Sequence, residues 1–249
     1  MKRIILLISC VLSILACSLD DNSGPINNLE NVTNLKYTVK EKSETNKLVY
    51  TQEYSVDEQG KVNTENYTNF YNPQFSHSST FEYNDKGQVI KEIRDGSTHF
   101  TITWTNNFAE VYNMQNQKIA EFNFDGERLK EYKTEFNSNN VRIRKLNYDS
   151  NNNIISVENE EEIFVEFLDY ELTKRNPLNL IQSIGILRID YKPFFKNIFR
   201  TEKVYPFEGD DYSQPLTFYE YFYEFDSENR VYQIEDEKSL IYTSEFEYE

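Results

Sequence analysis

Short clusters of Asn, Asp and Gly punctuate this chain, and their spacing constrains its fold more than any other feature. Between Gly87 and Asn153 they recur roughly every ten residues, an interval that leaves room for one strand between turns. Asn, Asp and Gly tolerate the positive φ angles that tight turns require. The spacing therefore predicts a meander of β-hairpins.

The segments between the turns alternate in polarity and are rich in rings, with 19 Tyr and 18 Phe in the chain. At 218–225, Tyr219, Tyr221 and Tyr223 share one face, and glutamates occupy part of the other. Period-two patterning of this kind is typical of an antiparallel sheet with one face in water. We expect an all-β antiparallel meander, either a curved open sheet or a barrel-like roll, as a single domain over 35–249.

The stretch 176–199 is apolar without strict alternation. Asn176 has the character of a helix cap, and Pro177 suits the first position of a helix. One short helix is therefore expected near 177–186, where it could plug one end of a sheet or barrel. Arg188 and its charged neighbours exclude a membrane-spanning helix here.

A transmembrane barrel needs a continuous apolar band on its outer face. The predicted strand 127–136 carries Glu127, Glu131 and Lys133 on one face and Arg128 and Lys130 on the other. Charge on both faces favours a strand in contact with water.

The N-terminal residues have the parts of an export signal. Residues 1–16 combine Lys2 and Arg3 with a short apolar run, and the segment that ends at Cys17 resembles a bacterial lipobox. That resemblance implies that Cys17 is acylated, with 17–34 as a flexible tether; an ordinary secretory signal is the alternative. The expected location is the outer membrane, held by acyl chains and facing the periplasm or the cell surface.

The net charge of −16 excludes whole classes of partner. Nucleic acid binding requires a basic surface that contacts the phosphates. Electrostatic binding to anionic lipids also requires a basic surface. The membrane contact is therefore expected to run through the acyl chains alone, which leaves a protein or glycan as the possible partner of the body.

Three segments share one pattern, in which an aromatic residue or Leu and then an aromatic residue flank one position and are followed by an Asx turn and an aliphatic residue. They are FEYNDKGQVIKE (81–92), LNYDSNNNIISV (146–157) and YEFDSENRVYQI (223–234). The pattern resembles the YD-type repeats of RHS-like proteins, and more closely a group of Bacteroidota lipoproteins with degenerate hairpins of this kind. The resemblance implies an architecture of stacked hairpins and no particular chemistry.

The sequence contains no constellation that indicates catalysis, and we predict neither an enzyme nor a bound cofactor or metal. Acid pairs are expected by chance among 42 acidic residues, although a small glycoside hydrolase would need two of them facing each other. Asp149, Asn151, Asn153 and Glu160 match positions of a calcium loop, but Ile154 occupies the place of the required Gly. A β-turn is the favoured interpretation.

The candidate ligand-facing residues are aromatic. Trp104, the only Trp, is either part of the core or an anchor for a partner, and the run from Tyr219 through Tyr221 to Tyr223 is either a buried ladder or a stacking platform. The leading hypothesis is a non-catalytic binding or accessory protein of the cell envelope. A carrier that holds an apolar ligand in a half-barrel is the second hypothesis, and it predicts an aromatic-lined cavity.

Overall fold

The computed structural model describes residues 29, 31–41, 47–134, 141–159, 162–188, 191–205, 215–236 and 242–249. Within them, sixteen antiparallel strands each pair with their neighbours in sequence, and β1 pairs with β16 to close the barrel. The strands are β1 Asn34–Glu41, β2 Leu48–Val56, β3 Val62–Asn69, β4 His77–Tyr83, β5 Val89–Arg94, β6 Ser97–Thr105, β7 Phe108–Asn113, β8 Lys118–Asp125, β9 Arg128–Thr134, β10 Arg142–Tyr148, β11 Ile154–Asn159, β12 Glu162–Arg175, β13 Asn197–Val204, β14 Thr217–Phe225, β15 Val231–Asp236 and β16 Tyr242–Tyr248. The predicted all-β meander is confirmed, and it is a closed barrel, not an open sheet.

An Asp or Asn side chain organises five of the described turns in the same way. In the β10–β11 turn, Oδ1 of Asp149 accepts hydrogen bonds from the backbone N–H groups of Asn151 and Asn153, both at 2.8 Å. Three residues after the Asp, Asn152 has a φ of +69°, in the left-handed region that Asn and Gly favour. The residues equivalent to Asp149 in the other turns are Asp57, Asn84, Asn113 and Asp226.

Aromatic side chains inside the barrel tie neighbouring strands together. The β10–β11 register shifts between the Asn147–Ser156 and Tyr148–Ile154 pairs, and such a bulge interrupts the ladder of backbone hydrogen bonds. The carbonyl of Ile154 instead accepts a hydrogen bond from the hydroxyl of Tyr170 on β12. The same contact recurs at 2.5–2.8 Å from Tyr83 to Val62, Trp104 to Val89, Tyr148 to Leu129, Tyr223 to Phe199 and Tyr248 to Val231.

The core lies inside the barrel, on the faces that alternate inward. Val111, Phe122 and Leu129, from three consecutive strands, are fully buried there. Phe122 stacks on Tyr132 with ring centroids 5.7 Å apart. Burial of one such side chain contributes about 1.5–3 kcal/mol, so this inward face is a main source of stability.

The prediction that β9 carries charge on both faces is wrong. Leu129 pairs with Phe124 and Tyr132 pairs with Phe122, so one extra residue, Lys130, lies between them as a bulge. The bulge keeps both apolar side chains of β9 inside the barrel. The charged residues of the strand therefore belong to the outer surface.

Ion pairs link adjacent strands across this outer surface. Lys36 on β1 lies 2.9 Å from Glu247 on β16, and Lys91 on β5 lies 3.0 Å from Glu82 on β4. A lipid-facing barrel carries a continuous apolar band, and these charged pairs would interrupt such a band at β1, β4, β5 and β16. No helix in the described part of the chain is both long and apolar enough to cross a bilayer.

The segment between β12 and β13 folds into the barrel and plugs one end. A 3₁₀-helix over Pro177–Ile184 leads into α1 (Gly185–Arg188), and a second 3₁₀ turn covers Lys192–Phe194. Asn176 caps the first helix by accepting a hydrogen bond from the N–H of Leu178, as the sequence predicts. Ser183 accepts a bond from the N–H of Val62, which places the plug at the β2–β3 turn.

Candidate functional site

A cavity of about 190 Å³ lies between the plug and the wall formed by β12–β16 and β1. Phe199 on β13, Tyr221 and Tyr223 on β14, and Phe246 on β16 line the wall side. These positions alternate with outward residues along their strands, so strand periodicity brings their rings to the interior. The plug contributes Phe195, which is almost fully buried.

The rings around the cavity contact one another in edge-to-face or tilted arrangements. Phe167 lies 4.7 Å from both Phe195 and Phe199, measured between ring centroids. Phe199 meets Tyr221 at 5.4 Å with an interplanar angle of 87°. Aromatic pairs at these distances contribute about 0.5–1.5 kcal/mol beyond their buried area, so the cavity walls are preorganised.

The polar groups of the cavity have partners within the protein. The hydroxyl of Tyr221 donates to Glu202 at 2.6 Å, and the hydroxyl of Tyr37 lies 3.0 Å from that of Ser244. The hydroxyl of Tyr223 donates to the carbonyl of Phe199, and burial raises its pKa well above the usual range for tyrosine. Although Glu202 and Lys192 also line the cavity, most of the surface that it presents to an occupant is ring and aliphatic carbon.

A second cluster in the barrel interior is charged. Arg188, at the end of α1, forms an ion pair with Glu65 on β3, and its Nη1 atom lies 3.9 Å from Glu92 on β5. Glu92 also accepts hydrogen bonds from Ser79 at 2.7 Å and from Arg94 at 2.9 Å. Both carboxylates are fully buried, so the cluster joins the plug to two strands of the wall.

The electrostatics of this cluster differ from those of a glycosidase acid pair. Burial alone raises the pKa of Glu92, but Arg188, the Ser79 hydroxyl and Arg94 together hold it below its usual value. A general acid for glycoside hydrolysis needs the opposite shift, which keeps its proton near neutral pH. The cluster therefore has the properties of a structural contact that holds the plug against the barrel wall.

The structure places the predicted aromatic residues in different surroundings. Tyr221 and Tyr223 line the cavity; Tyr219 lies on the same face of β14 but is not among the described residues of the cavity lining. Trp104 is half-buried on β6, where its indole N–H donates to the carbonyl of Val89 at 2.8 Å. The predicted lipidation site, Cys17, lies outside the described residues.

Sequence reasoning missed most of the residues that form these two sites. Phe167, Phe199 and Phe246 lie far apart in the chain and carry the same alternating pattern as other inward residues. The charged cluster left one signal, a single Arg within an apolar stretch, because a buried cation requires an acidic partner. Nothing in the sequence pattern pointed to Glu65 or Glu92 as that partner.

The calcium-loop match forms a turn in the structure. Oδ1 of Asp149 accepts the two backbone hydrogen bonds of the turn. Oδ2 of Asp149 accepts a hydrogen bond of 3.2 Å from the side-chain amide of Asn153. Glu160 lies outside the described residues. Across the part of the chain that the structure describes, no group of three or more His, Cys, Asp or Glu could hold a metal ion.

Comparison with known proteins gives similarities of fold. No protein-family model matches the chain, and no curated protein matches it in sequence. A porin-like protein from Bacteroides uniformis superposes with a TM-score of 0.55 at 12% identity, over 88% of this chain and 98% of that chain. At this identity the similarity shows the barrel fold alone.

Two further solved structures match more weakly. A porin-like protein from Bacteroides vulgatus has 14% identity and a TM-score of 0.35, with the same coverage of both chains. A TcdB2–TccC3 structure has 16% identity and a TM-score of 0.26, over 80% of this chain and 10% of that chain. Neither score is high enough to carry an argument about this protein.

Proposed function

We propose that this protein is a lipid-anchored, non-catalytic protein of the cell envelope that binds a small apolar ligand in the aromatic cavity. The observation that carries the proposal is the cavity itself. Its rings come from both the wall and the plug, and the polar groups described above already have protein partners. The proposed ligand lies in a closed barrel, whereas the carrier hypothesis, the second of those drawn from the sequence, placed it in a half-barrel.

The volume of the cavity limits the size of its occupant. An apolar cavity of about 150 Å³ is large enough for benzene. A cavity of about 190 Å³ suits an occupant slightly larger than that, such as a substituted single ring or a short branched alkyl group. Binding is expected to be driven by burial of apolar surface in a preformed site.

The proposed location rests on the N-terminal sequence and on the outer surface of the barrel. The lipobox-like segment ending at Cys17 supports attachment through acyl chains. The charged pairs on the outside support a body that stands in water beside the membrane. The structural neighbour from B. uniformis is a porin-like protein, but in this chain the plug and the filled core support enclosed binding over passage through the barrel.

Toluene binding tests the proposed ligand site. Toluene should raise the urea midpoint of the wild-type protein, because a ligand that binds the folded state stabilises it by mass action. Ile234→Phe should abolish this shift, since Ile234 lines the cavity and a larger ring there fills it. Ile155→Phe is the matched control, because Ile155 is 40% exposed.

Three results would contradict the ligand site: no toluene effect on the wild-type protein, an effect that survives in Ile234→Phe, or an effect lost equally in Ile155→Phe. Far-ultraviolet circular dichroism establishes that each variant is folded. Detergent-phase partitioning of wild type and Cys17→Ser, expressed in a bacterium that acylates lipoproteins, tests the anchor separately. The wild-type protein should enter the detergent phase, and Cys17→Ser should remain in the aqueous phase.

A further inference from the structure

We infer that a second site, a crevice at the plugged end of the barrel, binds an acidic sugar against Trp104. The crevice has a volume of about 550 Å³, large enough for a sugar ring and part of its neighbour. Hairpin turns border it on one side, and the plug borders it on the other through Asn179, Gln182 and Phe194. It is distinct from the aromatic cavity, with which it shares no lining residue.

The aromatic part of the crevice is rigid. Trp104 lies 5.6 Å from Phe124 between ring centroids, and Phe124 lies 5.9 Å from Phe194 of the plug. The hydrogen bond from Trp104 to the carbonyl of Val89 fixes the edge of the indole. A fixed ring binds the apolar C–H face of a sugar without losing conformational entropy of its own.

Side-chain amides supply the polar part. Gln88 uses its carbonyl oxygen to accept from Asn84 at 2.9 Å, and Gln182 uses its own to accept from Asn179 at 2.8 Å. Their NH₂ groups donate to no other described residue, and the side chain of Asn107 forms no hydrogen bond within the described ranges. Amides offer both donors and acceptors, which is what a set of sugar hydroxyls requires.

The charge of the crevice indicates an acidic sugar over a neutral one. Lys61 and Lys86 line it together with one acid, Glu127, although the whole chain has a net charge of −16. Neither lysine forms an ion pair within the described residues. Two lysines without carboxylate partners would attract a sugar carboxylate and hold it beside the ring.

Glycines occupy turns that line the crevice. Gly60 and Gly87 have φ angles of +76° and +75° at the turn position that Asn116 and Asn152 fill elsewhere with φ of +57° and +69°. A Cβ added to Gly60 would meet nothing within 4 Å. Asn is therefore compatible with this turn position, and because Gly60 lines the crevice, we expect an Asn side chain there to occupy part of it.

Fluorescence titration tests this site, because Trp104 is the only Trp in the chain and lines the crevice. Galacturonate and galactose are titrated into the full chain in detergent, with excitation selective for Trp. Galacturonate should change the emission saturably, with a dissociation constant on the order of 1 mM or tighter, and galactose should bind about tenfold more weakly. Raising the ionic strength should reduce the difference between the two sugars.

Two glycine variants supply the structural control. Gly60→Asn should weaken galacturonate binding by about tenfold or more while the turn and the fold remain intact. Gly96→Asn should bind as the wild type does, because Gly96, with φ of +79° and no atom within 4 Å of an added Cβ, is absent from the crevice lining. No saturable emission change with galacturonate, or unaltered binding by Gly60→Asn, would overturn the site. Equal binding of galactose and galacturonate would overturn the preference for acidic sugars.

Ile234→Phe, in the aromatic cavity, should leave the galacturonate titration unchanged. The two binding proposals can therefore fail separately.

Discussion

Arg188, the last residue of α1, forms an ion pair with Glu65 on β3, and this contact fastens the plug to the barrel wall. Glu65 is only 1% exposed, and Gln52 also donates to it at 3.1 Å. An ion pair between buried charged groups therefore holds the plug in one position. Both proposed binding sites include plug residues, so the position of the plug matters to both.

Removal of the Arg188 side-chain charge should destabilise the protein strongly. Arg188→Met leaves Glu65 and Glu92 buried without this cation, and breaking a buried pair in this way costs about 3–5 kcal/mol. Lys36→Met, which breaks the exposed Lys36–Glu247 pair, should cost about 0–1 kcal/mol. The free energies of unfolding from urea titrations give both values, and similar losses for the two variants would contradict a structural role for Arg188.

Stability should fall in acid partly through Glu92. Its folded-state pKa is lowered, so its contribution is fully present above the unfolded pKa of about 4.3 and is lost as the pH falls through the folded value. Glu92→Gln should be less stable than the wild type at pH 7 and should show a shallower loss of stability below about pH 4. Urea midpoints measured from pH 7 to pH 3 test this, and parallel curves for the two proteins would contradict it.

The Asx turns should depend on a side-chain oxygen and not on charge. Asp149→Ala removes the acceptor for two backbone N–H groups, a loss of about 1–2 kcal/mol. Asp149→Asn should retain most of the stability, because Asn84 and Asn113 perform the same role in their own turns. Urea denaturation of both variants measures the difference, and an Asn variant as unstable as the Ala variant would show that charge is required.

The sequence was sufficient to predict the hairpin meander because its determinants are local. The geometry of a turn depends on residues within that turn, such as Asp149 and Asn152. The alternation of Tyr221 and Tyr223 with glutamates likewise follows from the pleat of a single strand. Asn176 and Pro177 predicted the start of the plug for the same reason.

Features that depend on distant residues could not be predicted. The bulge at Lys130 shifts the inward face of β9 by one position, and it is visible only once β8 and β9 are paired. Closure of the barrel depends on the pairing of β1 with β16, more than 200 residues apart (Tyr37 with Phe246, for example). The aromatic cavity and the Arg188 cluster are products of that closure, so their residues carry no joint signal in the sequence.

The contacts from aromatic side chains to backbone carbonyls should contribute individually to stability. Tyr148 donates to the carbonyl of Leu129 at 2.7 Å, next to the bulge of β9, and burial raises the pKa of its phenol. Tyr148→Phe keeps the ring but leaves that carbonyl without its donor, and an unsatisfied buried acceptor costs about 1–3 kcal/mol.

Tyr112→Phe is the matched control, because the Tyr112 hydroxyl donates to the outward-facing Glu110 at 3.0 Å and should contribute about 0.5 kcal/mol or less. Urea denaturation measures both losses. Equal losses would mean that the carbonyl of Leu129 is satisfied by other means, and the aromatic contacts would then be a consequence of packing and not a cause of stability.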